Sequence, residues 1–172
     1  LVDGRVNYNF EAGSLGNFDA TLSATYYTRF EYNAADGDRA DAAGNQNART
    51  NIVPPIPELK AQARLNWSKN NHSASALVNW QKEVWFDDRV RNALTGLEPP
   101  TNGKIEGQTY VNVNYQYFFE DLFNSEVSFR VGVNNLFDEQ PQLLPILGGL
   151  ESRLHIPWGR QYFASIDVTL GQ

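Results

Sequence analysis

Cysteine and methionine are absent from this 172-residue chain, and histidine occurs only twice. Without cysteine there is no disulfide framework, no thiolate metal site and no thiol nucleophile. Lys and Arg number 14 against 20 Asp and Glu, a net charge of −6. The basic footprint of a nucleic-acid-binding protein is therefore missing. No apolar run approaches the roughly 18 residues of a membrane helix, and the mean hydropathy is −0.48. That lack excludes membrane helices but not membrane strands, in which only every second residue meets lipid. The opening Leu-Val-Asp-Gly carries neither an initiator methionine nor a signal peptide. It reads as the start of a processed protein or of a fragment.

What the chain does contain is alternation. In NFDATLSATYYTRFEYN, residues 17–33, Phe18, Ala20, Leu22, Ala24, Tyr26, Thr28, Phe30 and Tyr32 share one strand face. Asp19, Thr21, Ser23, Thr25, Tyr27, Arg29, Glu31 and Asn33 share the other. Period two is the mark of an extended strand with one apolar and one wet face. The same rhythm runs through Val2–Glu11 and recurs from about Leu59, Ser73, Gln108, Glu126 and Gln161, with Leu77 and Phe163 as exceptions on the polar side. About seven strands are predicted, and no helix. Strands in globular domains average five or six residues, so the length of the second one is itself informative.

The connections alternate too. Short turns rich in Gly, Asn, Asp and Lys at 13–17, 69–72 and 121–124 are interleaved with long segments at 34–57, 87–107 and 138–159. An outer-membrane barrel has this asymmetry, with short periplasmic turns and longer extracellular loops. The rule orients the chain: strand two runs outward, strand seven inward, and the C-terminus is periplasmic. Phe10, Phe18, Trp67 and Phe119 fall beside the short turns, and Phe30, Tyr32 and Trp158 beside the long loops. Two such girdles mark the membrane interfaces. The fold class expected is all-β, an antiparallel transmembrane barrel segment. A soluble β-sandwich shares the alternation but not the loop asymmetry or the girdles.

Two motifs add a resemblance. VGVNNLFDEQP (131–141) followed by PWGRQYFASIDVTL (157–170) resembles the C-terminal end of TonB-dependent outer-membrane receptors. Val131, Asn134, Asn135, Leu136, Phe137, Asp138 and Pro141 carry the first element, and Gly159, Arg160 and Tyr162 the second. The resemblance implies a 22-stranded barrel closed by an N-terminal plug and powered by TonB from the inner membrane. Residues 1–172 then correspond to the C-terminal portion of the barrel, without plug or TonB box. The partners implied are outer-membrane lipid, the remaining strands and plug, TonB, and a scarce solute such as an iron chelate, cobalamin or an oligosaccharide. The location implied is the outer membrane of a Gram-negative bacterium.

No catalytic constellation or cofactor motif stands out, and the chain does not read as an enzyme. His72 and His155 fall at opposite strand ends. DGDRAD (36–41) offers oxygen ligands but lacks the distal Glu of a calcium loop, so no metal site is expected. For ligand capture the candidates are Trp85, Phe86, Asp87, Asp88 and Arg89 above the fourth strand, Arg153 and His155 in the last long loop, and Tyr27 and Arg29 high on the second strand. Aromatic surface beside placed polar groups is what a ligand site needs. Girdle packing for Trp85 and Phe86, and lumen pairing for Tyr27 and Arg29, are the plainer readings. The functional expectation is an active uptake receptor. A passive porin-like or small structural barrel is the alternative, and a soluble carbohydrate-binding β-domain a second.

Overall fold

A computed structural model describes residues 1–34, 37–48, 52–87, 100, 102–122 and 125–170. Among them the strands are β1 (Val2–Glu11), β2 (Asn17–Tyr26), β3 (Glu31–Asn33), β4 (Arg39–Asp41), β5 (Leu59–Lys69) and β6 (His72–Gln81). They continue as β7 (Val84–Trp85), β8 (Lys104–Ile105), β9 (Gln108–Leu122), β10 (Ser125–Asn134) and β11 (Gln161–Leu170). The seven long strands form one antiparallel meander in the order β1-β2-β5-β6-β9-β10-β11. β1 and β11 are its edges. The four short strands make two small ladders, β3-β4 and β7-β8, within the long connections. No helix among the described residues is long and apolar enough to cross a membrane.

Register keeps the two faces continuous from edge to edge. Val6 opposes Leu22, Leu22 opposes Ala63, Ala63 opposes Val78, and Val78 opposes Val111. On the other face Arg5 opposes Ser23, Ser23 opposes Gln62, Gln62 opposes Asn79, and Asn79 opposes Tyr110. A slip of one residue in any strand would exchange its faces. Leu77 interrupts the polar face, and nothing in the structure explains it. Phe163 has an explanation, because its ring lies over Gly132, its cross-strand partner. A Cβ at Gly132 would stand 2.4 Å from Phe163 Cζ and 2.8 Å from the Val113 carbonyl oxygen. The aromatic intruder and the glycine form one packing unit.

Among the described residues nothing covers the apolar face. Val6, Tyr8, Leu22, Leu65, Phe129, Ile166 and Val168 are all exposed on it. Ten residues at about 3.3 Å each, and seven strands about 4.8 Å apart, give a face on the order of 1,100 Å². Soluble monomers rarely expose contiguous apolar patches beyond about 300–600 Å². The buried apolar cluster lies elsewhere, among the long connections: Val84, Phe86, Ile105, Leu144, Ile146 and Leu154. One face of the sheet is thus apolar and exposed, and the buried apolar cluster sits in the loops.

The expected 17-residue second strand is a correction. β2 stops at Tyr26, and the chain resumes as β3 at Glu31. Tyr26 is the last residue with strand partners on both sides, Val2 and Leu59. Upstream of Leu59 stands Pro57, which has no N–H for a ladder, and Tyr27 N–H instead donates to the Glu58 carbonyl at 2.8 Å. Phe30 and Tyr32 therefore belong to the loop region rather than to the sheet. The long connections, expected to be irregular, carry the two small ladders and a 3₁₀ turn at Pro145–Leu147.

The short turns are tightly tied. Asn70 and Asn71 join β5 to β6 as a two-residue turn, with Asn70 in the left-handed region that asparagine tolerates. Trp67 Nε1 donates to the Leu15 carbonyl at 2.7 Å, fastening the β1-β2 turn to β5. Phe10 and Phe18 stack with centroids 5.0 Å apart, and Tyr117 meets Phe119 edge-on at 4.8 Å. The aromatic row beside the short turns is formed as the spacing implied.

Candidate ligand-binding cleft

At the loop end of the sheet the last connection folds onto the polar face. Four side chains fasten it. Gln81 Nε2 donates to the Leu154 carbonyl at 2.9 Å, and the Tyr110 hydroxyl to the Ile156 carbonyl at 2.7 Å. The Gln108 amide lies 2.7 Å from the same hydroxyl, whose single proton is given to Ile156, and its Oε1 accepts the Ile156 N–H at 3.3 Å. His155, buried, places Nε2 2.8 Å from the Glu106 carbonyl. A carbonyl only accepts, so Nε2 is the donor in this bond. The strap roofs a cleft of about 290 Å³ whose polar walls include Lys60, Gln62, Asn79, Gln81 and Gln108. Alternation explains why these residues converge: each is on the polar phase of β5, β6 or β9, within three residues of the loop end.

A second set of contacts locks the three long connections together. Gln46, 1% exposed, donates from Nε2 to Glu151 Oε2 at 2.8 Å and accepts the Asp87 N–H on Oε1 at 3.0 Å. Gln46 N–H bonds to the Trp85 carbonyl, and Trp85 N–H to that of Gly44. Glu151 is buried, which alone would raise its carboxyl pKa. Arg153, bonded through Nε at 2.9 Å and Nη2 at 3.1 Å, and Gln46 outweigh burial and hold it below the usual carboxylate range. The carboxylate stays ionised inside the loop core because every oxygen has a donor.

The sequence-derived capture residues are distributed, not gathered. Trp85 is 56% exposed with the Lys104 ammonium 4.6 Å from its ring centroid, and Lys104 also pairs with Glu83 at 3.1 Å. Phe86, its neighbour, is buried in the loop core and presents nothing to a solute. Asp87 is tied by its backbone to Gln46. Asp88 and Arg89 lie outside the described residues. Tyr27 and Arg29 occupy the break after β2, where Arg29 pairs with Glu31. Arg153 serves Glu151, and His155 serves the strap. Of the seven described, His155 lies between the cleft residues Leu154 and Ile156, and Arg153 precedes Leu154.

DGDRAD also has another use. The Asp41 carboxylate accepts the N–H groups of Phe30 and Ala43 at 2.9 and 3.0 Å, capping the turn. The bond from Phe30 is the main cause of its lowered pKa. No group of three or more potential metal ligands occurs among the described residues. Gln81, Gln108 and Tyr110 were not distinguishable in the sequence, since each resembles any other residue on the polar phase of a strand, and Gln46 lies in a long connection with no pattern to mark it.

The two halves of the terminal motif touch. Asn135, buried and at φ +54°, donates from Nδ2 to the Glu139 and Trp158 carbonyls at 2.9 and 3.3 Å. Its Oδ1 accepts the Glu139 N–H at 2.8 Å, while its own N–H reaches Asn112 Oδ1 at 2.9 Å. Asp138 Oδ1 accepts the Arg160 N–H at 2.8 Å. A Cβ at Gly159 would stand 2.8 Å from that oxygen, so glycine leaves the room this bond needs. Leu136 N–H bonds to the Val111 carbonyl, and Asn134 pairs with Gln161. Phe137 is exposed, Pro141 half-buried, and Tyr162 stands on the apolar face opposite Val133. The motif is a clasp that returns the chain from β10 into β11. No protein-family model matches the chain, and no curated protein matches it.

Proposed function

We propose that this chain forms part of the wall of an outer-membrane barrel belonging to an active uptake receptor. The observation that carries the reading is the apolar face, uncovered among the described residues, of a seven-stranded sheet whose opposite face is mainly polar, with Leu77, Phe118 and Phe163 as exceptions. Strands of ten residues, about 33 Å long, tilted about 40° rise roughly 25 Å, the height of a barrel's apolar band. Aromatic rows beside the short turns suit the headgroup level. The loop core supports a side designed to stay structured in water.

Two further features favour a receptor over a passive pore. The strap over the polar face occupies space that an open channel would leave to water. The clasp of Asn135, Asp138 and Gly159 gives a physical reason for the residues that carry the resemblance to TonB-dependent receptors. In this reading β1 and β11 pair with other strands, because edges inside hydrocarbon leave backbone groups unsatisfied. Plug and TonB contacts belong to the same proposal, as do the outer-membrane location and an outward-facing loop end.

The test uses the intact protein in a Gram-negative host. It should fractionate with the outer membrane and resist urea extraction. Growth on a limiting iron chelate, cobalamin or oligosaccharide should depend on both the protein and TonB. TonB-independent growth would replace the receptor by a passive barrel. Recovery in the aqueous fraction without detergent would return the sheet to a soluble β-domain.

A further inference from the structure

We infer that the turn end of the apolar face holds a phospholipid headgroup, its phosphate taken by Lys69 and His72. The inference rests on the barrel reading, and it names one particular lipid site where that reading needs only bulk lipid. Both residues break the rule of their face. The apolar phase of β5 runs through Ala63, Leu65 and Trp67, and its next member is Lys69. On β6 the same phase runs back through Val78, Ala76 and Ala74 to His72. Lys69 and His72 are direct cross-strand partners, so the ammonium and the imidazole leave the sheet side by side. Lys69 is exposed and has no carboxylate partner among the described residues. Glu11, Asp19, Glu126 and Asp167, the described carboxylates toward this end of the sheet, belong to the polar phase. The site is therefore cationic on a face that is otherwise apolar.

Aromatic rings frame the two cations. The His72 ring has Trp67 at 6.5 Å, Tyr115 at 6.0 Å and Tyr117, edge-on, at 4.9 Å between centroids. Trp67 is itself fixed, since its Nε1 donates to the Leu15 carbonyl. His72 Nδ1 bonds with the Tyr115 hydroxyl, which orients the imidazole and leaves Nε2 for an outside partner. In the occupied site the hydroxyl donates to Nδ1, and Nε2 donates to a phosphate oxygen. A lipid answers both characters of the site. Its phosphate accepts charge-assisted bonds from the ammonium and the imidazole N–H. Its acyl chains meet Ala74 and Ala76, which stand between Trp67 and Leu65 on β5 and Tyr115 and Val113 on β9. A free phosphate would use the cations and leave that apolar floor in water. At the interface a cation on the lipid face costs far less than at the midplane. In the proposed orientation the turn end is periplasmic, so the lipid belongs to the inner leaflet.

Native mass spectrometry of the intact protein, released from a nonionic detergent, tests the site. Palmitoyl-oleoyl-phosphatidylglycerol is the lipid, dioleoylglycerol the phosphate-free control and inorganic phosphate the chain-free one. One surface cation changes affinity for anionic lipid about fivefold, so phosphatidylglycerol should be retained by at least that factor over either control. Lys69→Gln alone should lower its retention about fivefold, and Lys69→Gln with His72→Gln about tenfold or more. Lys69→Arg, which keeps the charge, should retain the lipid. Arg64→Gln removes a cation from the polar face and should leave retention unchanged. Wild-type retention in both Lys69→Gln variants, or an equal loss in Arg64→Gln, would overturn the inference. Inorganic phosphate or dioleoylglycerol held as well as the lipid would overturn it too. Failure of the site leaves outer-membrane fractionation and TonB-dependent growth of the wild type untouched. Retention that depends on Lys69 in a protein that imports nothing would keep the site and remove the uptake reading instead.

Discussion

Leu22→Arg should lower the stability of the membrane-embedded protein by about 2–4 kcal/mol and sharply reduce its assembled amount. Leu22 stands mid-strand on β2, between Val6 and Ala63, and is 53% exposed. Nothing among the described residues covers it, so its surroundings are decided by the solvent. In hydrocarbon a guanidinium near the midplane loses its hydration without gaining a partner. In water the same substitution at an exposed site would change stability by only about 0.5 kcal/mol. Asn66→Arg provides the control. Asn66 is on the polar face and already donates to Asp19 Oδ1 at 3.2 Å, so arginine there gains a carboxylate partner. Urea unfolding midpoints in lipid vesicles compare the two. Equal, small effects would place both faces in water.

Asn135→Ala should cost about 3–4 kcal/mol, most of it by unfastening the turn between β10 and β11. The side chain makes three hydrogen bonds at a buried site, each worth about 1 kcal/mol net. The Glu139 N–H and the Trp158 carbonyl would lose partners. Alanine also resists the left-handed backbone at φ +54°, adding roughly 1 kcal/mol. Asn135→Gly loses the same bonds without that strain, so it should lie about 1 kcal/mol above alanine. Urea midpoints again supply the measurement. If glycine and alanine were equal, backbone strain would have no part in the effect.

The sheet was readable because alternation is a strong signal when one face must be apolar over ten residues. β1, β5 and β11 begin and end close to where the pattern places them. Alternation also misled, since it continues from Tyr26 through Tyr32 although strand partners run out at Tyr26. Periodicity records which way side chains would point, not whether a neighbour exists to pair with. The loop core was less legible. Trp85 and Phe86 are adjacent in sequence, yet one is exposed and the other buried, because β7 pairs with β8 and turns alternate residues inward. Gln46 and Gln108 acquire their roles from partners 105 and 48 residues away, Glu151 and Ile156. No local pattern encodes such a distance. The terminal motif was recognisable by its letters, but its purpose needed the geometry of Asn135 and Asp138.

The central claim is that one face of the sheet meets lipid and the other water. Single cysteines at 20, 22 and 24, and at 21, 23 and 25, test it directly, since residues 1–172 contain no cysteine of their own. The intact protein in sealed outer membranes is treated with a small water-soluble maleimide, and the labelled fraction is measured at each position. Thr21, Ser23 and Thr25 positions should label, and Ala20, Leu22 and Ala24 positions should stay unlabelled until the membrane is dissolved. Equal labelling of both sets before dissolution would contradict the account.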